Sequence, residues 1–174
     1  EQGWLGLIVP EKYGGVGLTF LDLALLLEEM GKAMLPGPFF STVVMAGMTI
    51  LDAGSEEQKQ ELLPRIADGQ LILTLALTEP SARWDAVGVE TIAKTQGDDY
   101  VISGTKLFVP NANVSDYLVV AARTDQGEED ISLFLVPRDT DGVSHTMLKT
   151  IALDKQSEVA LDNVTVPSSA SECR

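Results

Sequence analysis

The chain has little sulfur, little imidazole and little positive charge. Cys173 is the only cysteine among its 174 residues, so an intramolecular disulfide is impossible, and His145 as the only histidine leaves no basis for a Cys/His metal site. Twelve Lys and Arg against 26 Asp and Glu give a net charge of −14, which argues against a nucleic-acid partner. No apolar stretch approaches the roughly 18 residues that span a bilayer. We therefore expect an acidic cytoplasmic protein without a membrane partner.

Apolar residues make up 45% of the chain, enough for a packed core. Their pattern changes near Gly69: helical periodicity precedes it, and short apolar strands separated by turn residues follow it. We predict an α+β protein, with a helical domain over residues 1–69 and an antiparallel β-barrel or sandwich over residues 70–174.

Helix-capping residues place the helices of the first part. Thr19 with Asp22 three residues on predicts a helix start, and Pro36-Gly37-Pro38 turns the chain after that helix. Ser55 with Gln58 is a capping-box signal for a later helix. The second and third helices are predicted over residues 39–53 and 56–67.

Strand signals fill the second part. Gly97-Asp98-Asp99 is a hairpin turn signal between two apolar runs. The predicted strands cover residues 71–77, 89–94, 100–108, 117–122, 131–136, 143–148 and 159–166. Short strands at this spacing are typical of an antiparallel barrel or sandwich.

The segment over residues 71–85 carries the strongest functional signal. Its first seven residues are apolar and uncharged, as in a strand buried on both faces, and Pro80 should end that strand near Glu79. Backbone N–H groups beside such a strand end are suited to a polar ring edge or a phosphate. The alternative is an ordinary core strand with a threonine and a glutamate at its exit.

Thr78-Glu79-Pro80, with Asp85 closing the following turn, resembles the flavin-facing strand and turn of the acyl-CoA dehydrogenase family. Further segments resemble family motifs in the family's own order: residues 1–17, 99–111, 117–123, 131–138, 141–143 and 161–167. The resemblance implies a partial N-terminal helical domain over 1–69 and the middle β domain over 70–174. It also implies that a C-terminal helical domain is absent.

The resemblance implies an FAD-dependent oxidation of the Cα–Cβ bond of an acyl-CoA. A carboxylate removes the α-proton while a hydride leaves the β-carbon for the flavin, whose electrons pass to an electron-transfer acceptor. By matching position, Leu75, Leu77 and Thr78 line the ring edge, and Phe108 with Val109 lies at the ring face. The alternative for Phe108 is a core aromatic. Family members are homo- or hetero-oligomers of dehydrogenase subunits.

Three positions depart from the family pattern. Pro110 stands where a threonine usually donates a hydrogen bond to the flavin, and proline has neither hydroxyl nor N–H. Arg83 and Trp84 replace a glycine and a serine. We assign Pro110 and Trp84 to the cofactor site, and Trp84 also to the substrate site. With residues 153–157, these departures resemble a diverged bacterial branch that forms mixed tetramers acting on steroid side chains or similar CoA esters.

The resemblance places the catalytic base, a glutamate, in the C-terminal helical domain, so no residue of this chain is assigned that role. Glu79 is interpreted as a structural residue at the strand exit. We expect a fragment without turnover that exposes apolar helix faces and therefore dimerises or aggregates. The faces expected to be exposed include Val43, Val44, Met48 and Ile50.

Three functions stay open. The first is an acyl-CoA dehydrogenase cut to its N-terminal and middle domains. The second is a non-catalytic partner subunit with weakened flavin binding, which Arg83, Trp84 and Pro110 favour. The third is a cofactor-free β-rich interaction domain.

Overall fold

The computed structural model describes residues 3–83, 85–124 and 130–172. The chain divides into two compact units, Glu1–Ile72 and Leu73–Arg174. The first unit is helical and the second is built on one sheet. Within the described ranges, no helix is both long enough and apolar enough to cross a membrane.

The helices of the first unit begin where capping residues predict. Helix α1 is Phe20–Lys32, and the Asp22 carboxylate accepts hydrogen bonds from the Thr19 N–H and hydroxyl at 2.9 and 2.6 Å. Helix α3 is Glu56–Ala67, preceded by Ser55; the Ser55 N–H donates to Gln58 Oε1 at 2.8 Å, and the Gln58 N–H donates to Ser55 Oγ at 3.2 Å. These reciprocal bonds satisfy donors that a helix start leaves free.

The predicted second helix is not a regular α-helix. Phe40–Gly47 is π-helical, and only Met48–Ala53, helix α2, is α-helical. In the wider turn of a π-helix a carbonyl faces the residue five positions on. A Cβ on Gly47 would lie 2.9 Å from the Thr42 carbonyl oxygen, so the missing side chain permits this winding.

The prediction of exposed faces in this unit is wrong for Val43 and Ile50. Both side chains are fully buried, and Val44 and Met48 are partly buried. Other apolar side chains of this unit are exposed: Trp4, Val16, Leu18, Phe20, Leu21, Leu25, Met34, Leu35 and Phe40.

The second unit is a mixed sheet that curls into a half-barrel. Its strands are β1 Leu73–Ala76, β2 Ile92–Gln96, β3 Asp99–Pro110, β4 Tyr117–Thr124, β5 Ile131–Pro137, β6 Val143–Met147, β7 Gln156–Pro167 and β8 Ser171–Glu172. The strand order is β6-β7-β3-β2-β4-β5-β8, and β1 also pairs with β4.

The sheet corrects the prediction of a purely antiparallel arrangement. β1 and β2 each pair with β4 in parallel, whereas the remaining pairs are antiparallel. β4 lies inside the sheet, and Leu118 to Ala122 are all buried, which matches the continuous apolar run of a strand covered on both faces. Tyr100 packs edge-on against Phe134 in the core, with ring centroids 5.0 Å apart.

Candidate functional site

The exit of β1 lies against β3. The Leu107 N–H donates to the Thr78 carbonyl at 2.8 Å, and Lys106 Nζ lies 3.5 Å from the Leu77 carbonyl. Leu77 is 45% exposed and Thr78 is partly buried, although the β1 residues before them are mostly buried. The apolar run thus ends in an open segment whose backbone is fastened to the neighbouring strand.

A β-bulge in β3 presents Phe108 at this place. The pairing of β3 with β7 shifts register between Lys106 and Val109. Phe108 has a φ of 53° and is 56% exposed, while Val109 is buried. A positive φ is strained for an aromatic residue, and bulges commonly re-aim a side chain beside a functional site. Phe108 is therefore not a core aromatic. We call Leu77, Thr78 and Phe108 the exit patch.

Beneath the exit patch lies a buried ion pair. Lys106 Nζ and Glu79 Oε1 are 2.5 Å apart, and the two side chains are 0% and 3% exposed. Glu79 also accepts the N–H groups of Glu90 at 2.6 Å and Thr91 at 3.1 Å. Burying two charges is costly unless each is paired and hydrogen-bonded, and both conditions are met here.

The environment of this pair acts on both pKa values. Burial raises the pKa of the Glu79 carboxyl, but the hydrogen bonds from Lys106, Thr91 and Glu90 outweigh it and hold that pKa below its ordinary value. Burial lowers the pKa of the Lys106 ammonium by more than the contact with Glu79 raises it. Glu79 is therefore ionised, and its carboxylate oxygens already accept hydrogen bonds from these donors.

This ion pair was not predicted from the sequence, although the sequence carries a signal for it. On β3, Ile102 and Lys106 are buried while the residues on either side of each are more exposed, so the strand periodicity places a lysine at an inward position. A lysine at such a position requires a buried partner. Glu79, at the exit of the preceding apolar run, is that partner.

The turn after Pro80 is held by its own polar groups. The Ser81 hydroxyl donates to the Gly88 carbonyl at 3.0 Å, and the Gly88 N–H donates to Asp85 Oδ1 at 3.0 Å. Arg83 forms two hydrogen bonds with Asp85, at 3.1 and 2.7 Å, and this contact lowers the pKa of the Asp85 carboxyl. A Cβ on Gly88 would lie 2.3 Å from Arg83 Cβ, so the stem of Arg83 occupies the space above that glycine.

Arg123 fixes the other side of the same turn. Its guanidinium donates to the carbonyls of Ala86 at 3.0 Å and Val89 at 3.0 Å. These hydrogen bonds connect the described residues of the turn, including Arg83, to one another and to β4. Trp84, assigned to the cofactor and substrate sites, lies outside the described residues.

The structure brings together part of the assigned cofactor site. Leu77, Thr78 and Phe108 lie on two segments that the Leu107–Thr78 hydrogen bond joins. Leu75 is partly buried two residues before Leu77, on β1. The Val109 side chain lies in the hydrophobic core. Pro110 is partly buried and pairs with Gln156 on β7. Exposed Phe108 and Leu77 fit the apolar face of a flavin ring and Thr78 supplies a hydroxyl, whereas Pro110 supplies no donor.

The two parts of the chain match two models of one family in order. Residues 1–70 match the N-terminal domain of acyl-CoA dehydrogenases, and residues 74–164 match the middle domain. Acyl-CoA dehydrogenase FadE12 of Mycobacterium tuberculosis is 34% identical over 179 aligned positions, which cover 98% of this chain and 45% of FadE12.

Solved structures agree with these matches. The ChsE4–ChsE5 complex from Mycobacterium tuberculosis has a TM-score of 0.88 at 34% identity, covering 99% of this chain and 45% of that chain. A glutaryl-CoA dehydrogenase from Mycobacterium smegmatis, in complex with FADH2, has a TM-score of 0.84 at 34% identity, covering 97% and 44%. This chain belongs to the acyl-CoA dehydrogenase family. It spans just under half the length of the relatives that it matches.

Proposed function

We propose that this chain is the flavin-holding part of an acyl-CoA dehydrogenase, with a partial N-terminal helical domain over 1–69 and the middle domain over 70–174. The observation that carries the proposal is the exit patch: an exposed aromatic on a strained bulge, beside an open strand exit, in a chain that matches both family models in order. Bound FAD would supply the hydride acceptor for α,β-desaturation of an acyl-CoA thioester.

Each proposed contact has a physical basis. Phe108 packs on the ring face because its side chain is open and held outward by the bulge. Leu77 and Leu75 lie along the ring edge, and the Thr78 hydroxyl bonds a polar edge atom. Val109 and Pro110 contribute through the backbone that carries the bulge. Trp84 is proposed to contact both cofactor and substrate.

Glu79 does not take the role of catalytic base in this proposal. Its carboxylate is buried, bonded to Lys106 and two backbone N–H groups, and its pKa is lowered. A general base must reach the proton that it abstracts and have a pKa near the working pH. No residue of this chain is proposed as the base, so the 174 residues alone should reduce no electron acceptor with any acyl-CoA.

A second candidate function is a non-catalytic partner subunit of a heteromeric dehydrogenase. Pro110 removes a donor from the ring site, and the Arg83 stem fills the space over Gly88 that a small residue would leave open. Both features would weaken flavin binding. The ChsE4–ChsE5 structure, a complex of two named subunits, is a precedent for pairing within this family.

The visible absorbance spectrum during FAD titration separates the candidates. We expect the chain to bind FAD with a perturbed flavin absorbance band. Phe108→Ala should weaken that binding by about tenfold or more, because stacking a nucleobase on an aromatic side chain stabilises binding by about 1–3 kcal/mol, and the flavin ring would stack in the same way. Phe40→Ala is a matched control, because Phe40 is 55% exposed in the other unit. Failure of this chain to bind FAD would favour the partner subunit.

A further inference from the structure

We infer that the buried Glu79–Lys106 pair positions the exit patch for its ligand, beyond any part it has in holding the fold together. Glu79 follows Thr78 directly, and Lys106 precedes Phe108 by two residues, so the pair joins the two segments that carry the patch. This inference deepens the proposed flavin site and rests on it.

The pair connects three segments at a point where no regular strand pairing joins them: the exit of β1, β3 and the residues just before β2. β1 ends at Ala76, so Leu77 to Glu79 depend on contacts to β3 for their position. Glu79 also bonds the Glu90 and Thr91 N–H groups, just before β2 begins at Ile92. One carboxylate therefore fixes the strand exit to β3 and to the entry of β2.

A close backbone contact completes this arrangement. A Cβ on Gly104 would lie 2.4 Å from Thr91 Oγ1 and 2.8 Å from Thr91 Cα, so β3 passes directly over Thr91. Thr91 in turn donates its N–H to Glu79. The segment of β3 just before the bulge at Phe108 is therefore held on one side by Thr91 and on the other by the ion pair. A strained backbone conformation persists only where surrounding contacts fix it in this way.

The chemistry of the pair favours positioning over simple stability. Well-packed apolar residues of similar volume usually serve a buried site as well as an ion pair does, whereas one charge left alone is strongly destabilising. Apolar side chains, however, would offer no donor to the Leu77 carbonyl and no acceptor to the Glu90 and Thr91 N–H groups. The charged pair therefore adds directional hydrogen bonds that hold the patch in position.

The test compares Lys106→Met with the double variant Glu79→Gln/Lys106→Met. The double variant removes both charges and keeps a side-chain acceptor for the Thr91 N–H. Lys94→Met on the exposed face of β2 is the matched control. The readouts are thermal unfolding, amide hydrogen exchange without cofactor, and FAD titration with its visible spectrum.

We expect the double variant to regain thermal stability relative to Lys106→Met, because no lone buried charge is left. Exchange of the Leu107 amide, which bonds the Thr78 carbonyl, should stay faster than in the natural chain by about tenfold or more, while β4–β5 amides exchange as before. FAD affinity should fall by about tenfold or more, as occurs when an outer supporting contact is lost at other ligand sites.

The inference is overturned if the double variant shows natural exchange at Leu107, or if it binds FAD with the affinity and spectrum of the natural chain. Either result would reduce the pair to a fold-stabilising element. If the natural chain binds no FAD, the proposed function fails on its own, and the exchange measurement still decides whether the pair holds the exit patch.

Discussion

At Glu79, burial and hydrogen bonding act on one carboxyl in opposite directions, and hydrogen bonding prevails. Its folded pKa lies below the ordinary value of 4.5, so the unfolded chain takes up a proton first as the pH falls. The stability that Glu79 contributes is therefore fully present above pH 4.5 and is lost as the pH falls through the folded pKa.

The acid limb of the stability curve should change when this carboxyl is removed. In Glu79→Gln, unfolding free energy measured by denaturant should be lower at neutral pH and should fall less between neutral pH and acid than in the natural chain. Asp154→Asn is the comparison: Asp154 is exposed and its pKa is lowered by Thr150 and Gln156, so its removal should flatten the acid limb in the same sense but less. An acid limb of unchanged slope in Glu79→Gln would contradict the assigned direction.

How much of the site the sequence could predict differs from residue to residue. Thr78 and Glu79 were recognisable because they follow an apolar run and precede a proline, which is local information. The exposure of Phe108 was not, because it depends on a register shift between β3 and β7, strands that are distant along the chain. The ion pair joins residues 27 positions apart, and pairing at that distance leaves only the inward lysine as a signal.

At the scale of elements, residues that are close in sequence predict where helices and turns begin. Contacts between residues that are distant in sequence determine which strands pair. The starts of α1 and α3 agree with their capping residues because caps bond groups three residues away. The hairpin of β2 and β3 agrees with its glycine turn, where Gly97 has a φ of 65°. The parallel pairing of β1 with β4 and the short β8 were not predicted, since neither follows from a turn or a periodicity.

At Gly104 in β3, the close approach of Thr91 and a φ of 158°, which alanine rarely adopts, both oppose a side chain. In Gly104→Ala, the added Cβ would meet Thr91 side-chain and backbone atoms at 2.4 to 2.8 Å, so β3 must move. We expect a loss of about 1–3 kcal/mol in unfolding free energy, as overpacking commonly costs. Denaturant unfolding monitored by circular dichroism measures it.

Gly31→Ala in α1 is the matched control for this change. Apart from its chain neighbours and the backbone of its own helix, no atom of the described residues lies within 4 Å of a Cβ built on Gly31, which is in the last turn of the helix. Alanine there should be neutral or stabilise by up to about 1 kcal/mol. Equal effects of the two substitutions would show that neither the contact with Thr91 nor the backbone conformation at Gly104 costs stability.

On the scale of the whole molecule, two general forces oppose each other. A net charge of −14 favours separate molecules through repulsion. Against it, α1 exposes Leu21 at 69% and Leu25 at 57%, on one side of the helix because they are four residues apart. Repulsion between surface charges is screened beyond about 8 Å at physiological ionic strength, whereas apolar contact is not weakened by salt.

Contact between apolar faces should therefore prevail at physiological salt, and we expect the chain to self-associate. Sedimentation velocity over a concentration series should show larger species that increase with added salt. Leu21→Gln/Leu25→Gln should shift the distribution towards monomer. Ile151→Gln/Leu153→Gln is the control, because these side chains are even more exposed but lie in the loop before β7. Two results would show that the exposed face of α1 does not drive association. The natural chain could sediment as a monomer at every concentration and salt, or the control variant could dissociate as fully as the α1 variant.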